Sequence, residues 1–126
     1  MATETKVWLS TAAIVLLLAV AAGAVGSHVL PEVEPRVLRG YERAVDFQFY
    51  HGFGLVAVAL LLDRAARRGF LRIAAAAFGA GILLFCGTLY ARAFGLVGTT
   101  ALAPYGGTAF MIGWLALAIG VWRTAR

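Results

Sequence analysis

Residues able to do chemistry are few in this chain, and most lie in one stretch, Tyr41-Glu-Arg-Ala-Val-Asp-Phe-Gln-Phe-Tyr-His-Gly-Phe-Gly-Leu55. It carries Arg43, Asp46, Gln48, Tyr50 and His51, and it runs straight into the apolar Val56-Ala-Val-Ala-Leu-Leu-Leu62. Imidazole, carboxylate and guanidinium groups at membrane depth can move a proton, hold a polar ligand or satisfy one another. On a helix Arg43 and Asp46 stand at i, i+3, and Asp46 and Tyr50 at i, i+4, so each pair is within contact range. A helical wheel puts Arg43, Asp46, Phe47, Tyr50, His51 and Gly54 on one side with Gln48 at its edge, and Val45, Phe49 and Phe53 on the other. The polar side is expected to meet protein and the apolar side lipid. The plainer expectation is a self-satisfied polar patch that only fixes how helices dock.

His28, in Gly26-Ser-His-Val-Leu-Pro31, stands where an earlier apolar run ends. Together with Arg43, Asp46, His51 and Arg92 it is expected to converge on a small polar pocket near one membrane face. Two histidines on neighbouring spans could ligate haem. Against that, His28 lies at a helix end and His51 about two turns inside Arg43. No nucleophile–base pair, phosphate loop or clustered carboxylate pair is evident. Gly23-Ala-Val-Gly26 is read as helix packing, because no strand precedes it as a dinucleotide fingerprint requires. The single cysteine, Cys86, excludes an intrachain disulfide and a multi-cysteine metal site. The expectation is therefore a protein that is not an enzyme, with no metal ligands and no cofactor. Its binding candidates are His28, Arg43, Asp46, Gln48, Tyr50 and His51.

The elements that must position these groups are membrane helices. The chain has 126 residues, 62% hydrophobic and 13% charged, with mean hydropathy +0.87. A soluble domain carries about 25% charged residues. Apolar runs at residues 7–27, 42–62, 70–92 and 105–122 each approach the ~20 residues that cross a bilayer core. The net charge of +5 lies beside these runs, where Lys and Arg meet anionic headgroups, so nucleic acid is not the expected partner.

Pro35 follows Glu34 as a helix start, and helix is expected from there to Asp63. Such a helix exceeds the hydrocarbon core, so Arg36, Arg39 and Glu42 should project from the membrane. The first run has Lys6 before it and Ala22-Gly23-Ala24 near its end, like a secretory signal. It is longer than a usual signal core, and its retention is expected. Seven basic residues (Lys6, Arg64, Arg67, Arg68, Arg72, Arg123, Arg126) fall on one face and four (Arg36, Arg39, Arg43, Arg92) on the other. The positive-inside rule then puts both termini in the cytoplasm.

Small residues recur at alternating intervals of three and four in the last run: Gly106, Ala109, Gly113, Ala116 and Gly120. Weaker versions are Ala74, Ala77, Gly81, Thr88 and Ala91 in the third run, and Ala12, Ala19, Ala22 and Gly26 in the first. This period favours close, left-handed packing. The expected fold is an all-α integral membrane protein: one domain over residues 1–126, an antiparallel four-helix bundle with little room for a pore.

Four blocks carry a resemblance to a known family. They are Gly23-Ala-Val-Gly-Ser-His-Val-Leu30, Ala44-Val-Asp-Phe-Gln-Phe-Tyr-His51, Gly81-Ile-Leu-Leu-Phe-Cys-Gly-Thr-Leu-Tyr90 and Pro104-Tyr-Gly-Gly-Thr-Ala-Phe-Met-Ile-Gly-Trp114. In order, they resemble the corresponding elements of the YgdD-like small four-span membrane proteins, a domain-of-unknown-function family. Departures are Val29 for glycine, Phe47 for tyrosine and Cys86 for serine. The resemblance implies a bacterial inner (plasma) membrane location, a multi-pass fold and a retained first span, and it implies no activity. The expected role is a structural or accessory helix-bundle subunit contacting lipid, copies of itself or a larger membrane complex. The alternative is a small transporter or a lipid- or quinone-binding protein using the His51/Asp46/Arg43 face.

Overall fold

The computed structural model describes residues 1–29 and 33–124. The end of the first run at Leu30 and Pro31 and the closing Arg126 lie outside that range. Four helices are long and apolar enough to cross a membrane. They are α1 (Thr3–Val29), α2 (Pro35–Arg64), α3 (Gly69–Ala93) and α4 (Ala103–Arg123).

The helix ends follow from local chemistry. Pro35 opens α2, and the Glu34 carboxylate accepts hydrogen bonds from the amides of Arg36 at 3.0 Å and Val37 at 3.3 Å. Those bonds, the one from Arg36 foremost, hold the Glu34 carboxyl below the usual range. At α3's far end Gly95 takes φ 74°, a left-handed conformation that costs glycine nothing. The Leu96 amide then bonds the Ala91 carbonyl and the Gly95 amide bonds that of Arg92, which is a Schellman closure. Within α3, residues Ile82–Cys86 form one wide π turn between Gly81 and Gly87. The sequence reading does not anticipate it.

With 30 residues, α2 is about 45 Å long, against ~30 Å of hydrocarbon. The helix is thus longer than the core it crosses, with the length expected from Pro35 onward. α1 lies almost wholly against α2, α3 lies along α4, and α2 also packs on α3. The buried side of α2 runs Tyr41, Ala44, Gln48, His51, Leu55, Val58 and Leu62, a period of three and four. On α1 the buried positions are Thr5, Ala12 and Ala19, seven apart. Large side chains such as Leu17, Val20, Phe53, Met111 and Leu115 are exposed. In water such a surface would aggregate; in a bilayer it is the lipid face.

The α3–α4 contact is built from knobs and holes. A methyl group at Gly113 would sit 2.6 Å from Phe78 Cε1, and one at Gly120 3.0 Å from Leu71 Cδ2. One at Gly106 would press on the backbone of Phe85. Thus Leu71, Phe78 and Phe85 cover Gly120, Gly113 and Gly106, in antiparallel order and seven residues apart on each helix. Phe110 fills the reciprocal hole over Gly81. The glycine period expected in α4 is the one used, but Ala109 is only half-buried, and Phe110 takes the inward place beside it.

Candidate functional site

Two of the polar residues expected to share a face point inward. Gln48 and His51 are each 4% exposed, whereas Tyr50 is 56% exposed, and Arg43, Asp46 and His28 are all exposed. The wheel drawn from charge was rotated away from the true inner face. Arg43 and Asp46 belong to the first turns of α2, near or beyond the hydrocarbon edge, where a charged group reaches water more cheaply than a partner. No hydrogen bond or ion pair joins Arg43, Asp46, Tyr50 and His28 to one another or to His51 among the described residues. The expected convergence of these groups with Arg92 does not form.

What forms instead is a set of buried polar links radiating from α2. The His51 Nδ1 lies 2.7 Å from the Phe47 carbonyl, and Trp114 Nε1 on α4 lies 3.0 Å from His51 Nε2. A carbonyl only accepts and an indole N–H only donates. His51 is therefore the neutral Nδ1–H tautomer, donating to Phe47 and accepting from Trp114. Its ring lies flat on Phe110, with centroids 3.5 Å apart and planes 10° apart, and meets the edge of Phe78. Both nitrogens are spent, so haem ligation or proton transfer through His51 would first have to break a bond inside the bundle. Sequence alone nominates Gln48, Tyr50, Asp46 or His28 as partners of this ring and the first helix as its neighbour. The partners are Trp114 and a backbone carbonyl, and the neighbour is α4.

Gln48 makes the matching link on the other side. Its Nε2 donates to the Val15 carbonyl of α1 at 2.8 Å, and its Oε1 accepts from the Tyr90 hydroxyl of α3 at 2.6 Å. The Tyr41 hydroxyl donates to the Ala22 carbonyl of α1, and the Cys86 thiol on α3 donates to the Ala44 carbonyl of α2. Among the described residues every buried side-chain nitrogen and oxygen has a partner. The sequence reading missed Tyr41, Tyr90 and Trp114 as members of this network. The signal available for all three was the polar tip that a buried Tyr or Trp must satisfy.

Residues 22–107 match the model of a family described as "Protein of unknown function (DUF423)". The chain belongs to this family. It is 35% identical over 116 residues to the UPF0382 membrane protein YwdK of Bacillus subtilis (strain 168), covering 90% of this chain and 94% of that one. A UPF0382 membrane protein of Haemophilus influenzae is 36% identical over 107 residues, covering 83% of this chain and 85% of the relative. The UPF0382 inner membrane protein YgdD of Escherichia coli (strain K12) is 29% identical over 109 residues, covering 85% and 82%. No solved structure matches. The family and the four apolar helices together make this a membrane protein of a family without a specific assigned activity, in agreement with the resemblance seen in its motifs.

Proposed function

We propose that the protein is a structural or accessory subunit of a bacterial inner membrane, acting through its helix faces and not as an enzyme. One observation carries this reading. The buried polar groups that could have served a substrate are used up in holding the helices together: Gln48 ties α2 to α1 and α3, and His51 ties it to α4. What the molecule then offers a partner is shape, on outer faces such as Leu17 and Val20 of α1 and Met111 and Leu115 of α4. A second copy of the chain or a larger membrane complex would dock there. The relative named as an inner membrane protein supports the location.

The seven-to-four division of basic residues supports cytoplasmic termini. Crosslinking in native membranes, followed by extraction in mild detergent, tests the reading. Discrete oligomers or one recurrent partner are expected, and recovery only as a lone monomer would overturn it. A reporter active only in the periplasm, fused after Arg126, should be inactive. The alternative of a transporter, or of a lipid or quinone site, on the His51/Asp46/Arg43 face finds no support in the geometry, since His51 is buried while Arg43 and Asp46 are exposed.

A further inference from the structure

The two ends of the bundle treat their arginines differently. At the end holding the termini, Arg72 forms a two-pronged ion pair with Glu4 at 2.7 and 3.0 Å. Arg68 Nε donates to the Ala65 carbonyl at 3.0 Å, and the Arg123 guanidinium lies 5.5 Å from the centre of the Phe70 ring. At the other end Arg36, Arg39, Arg43 and Arg92 make no side-chain hydrogen bond or ion pair among the described residues. Arg36, Arg39 and Arg43 line a cleft of about 440 Å³, and Arg36 and Arg92 an adjoining one of about 620 Å³, between the start of α2, the end of α3 and the α3–α4 loop. The one acidic residue among the described residues lining them, Glu34, is committed to capping α2. Guanidinium forks that line open space, with no free counter-charge among the described residues of the cleft, suit the oxygens of a phosphate. Beneath them the first cleft turns apolar, along Phe85, Leu89, Ala103 and Pro104. Headgroup-sized, cationic above and greasy below, at the level where α2 leaves the hydrocarbon, the space has the polarity profile of an anionic lipid.

We propose that this arginine cleft binds a phosphate-bearing headgroup, with Arg36, Arg39 and Arg43 as its cationic ligands and the Phe85–Leu89 floor receiving the start of an acyl chain. The proposal is independent of whether the protein is an accessory subunit, because it needs only the folded monomer. It differs from general attraction of basic residues to anionic membranes in being saturable and confined to one end of the molecule.

The full chain in phosphatidylcholine nanodiscs, titrated with short-chain phosphatidylglycerol or short-chain phosphatidylcholine and followed by native mass spectrometry, tests it. One phosphatidylglycerol should be retained saturably and added phosphatidylcholine should not. Arg39→Gln with Arg43→Gln should weaken retention about thirtyfold, at about 1 kcal/mol per arginine near a membrane surface. Arg64→Gln with Arg67→Gln, the same loss of charge at the other end, should leave it unchanged. Equal retention of the two lipids, or equal weakening by the two variant pairs, would overturn the site. Arg36→Gln gives the same reading if the first pair lowers the melting midpoint. Glycerol phosphate distinguishes the sources: competition at comparable concentration means that a free phosphate compound suffices, and failure to compete means that the lipid chain is required.

Discussion

The α3–α4 seam and the α1–α2 seam solve one problem by different means. Lipid is as apolar as the helix surfaces it covers, so helices in a bilayer associate through packing and hydrogen bonds. Along α3–α4 the means is shape: Leu71, Phe78 and Phe85 seat over Gly120, Gly113 and Gly106, with Phe110 over Gly81. Along α1–α2 the surfaces are smoother. Ala12 and Ala19 are wholly buried, and the specific bonds come from Gln48 and Tyr41 to the carbonyls of Val15 and Ala22. The glycine contacts there also differ in kind. A methyl at Gly52 would meet the tip of Leu16, a side chain that can turn aside, whereas one at Gly106 would meet backbone. One seam should therefore be sensitive to added volume and the other to lost polarity.

The largest effect is expected at Gly106. In Gly106→Ala the new methyl would lie 2.7 Å from Phe85 Cβ and 2.8 Å from its Cα, atoms that cannot rotate away. Overpacking costs about 1–3 kcal/mol, and a clash with backbone belongs at or above the top of that range. The detergent melting midpoint should fall further than for Gly113→Ala, where the Phe78 ring can tilt. Equal falls would mean that the seam is plastic, and the contrast with α1–α2 would fail.

This difference also explains what the sequence made legible. Glycines seven apart in α4 announce a close crossing, because the hole is encoded by the residue that makes it. The helix number, the start of α2 at Pro35 and the start of α4 beside Pro104 follow from hydropathy and proline chemistry in the same direct way. The polar links do not. Gln48, Tyr41, His51 and Cys86 each bond a main-chain carbonyl, belonging to Val15, Ala22, Phe47 and Ala44. Every residue has such a carbonyl, so no residue type marks the partner. A search for side-chain partners of His51 was bound to nominate Asp46 and His28, while the indole of Trp114 looked like one more apolar span residue. Charge misled in a second way. Arg43 and Asp46 dominated the wheel, yet the buried period of α2 is carried by Tyr41, Ala44, Gln48, His51, Leu55, Val58 and Leu62.

A middle-sized effect is expected from Gln48→Leu. It keeps most of the volume but removes the bond to Val15 and the acceptor of the Tyr90 hydroxyl. Membrane-buried hydrogen bonds average about 0.6 kcal/mol each, with a maximum near 1.7. The variant should therefore lose about 1–3 kcal/mol, with hydrogen exchange rising in α1 and not in α4. Trp114→Phe is the mirror test. It leaves the His51 Nε2 without its donor and should raise exchange in α4 while sparing α1. Exchange spreading equally over all helices in both variants would show that the seams do not respond separately.

The smallest effect, and the sharpest, comes from moving one residue along α4. Gly107 stands beside Gly106, but a methyl added there would have nothing within 4 Å. The same substitution that overfills the seam at one position thus enters open space at the next. Alanine is the better helix former by at most about 1 kcal/mol, through lower backbone entropy in the unfolded chain. In a bilayer or micelle that chain keeps part of its helix, so the gain should be smaller than the maximum. Gly107→Ala is therefore expected to leave the melting midpoint level or raise it slightly, where Gly106→Ala lowers it steeply. The opposite signs follow from position alone, since residue type, helix and chemical change are identical. A fall at Gly107 as large as that at Gly106 would mean that this side of α4 is covered in the membrane by something other than lipid. A second copy docked against that side would account for such a fall, and the comparison between the seams would then have to include an interface between chains.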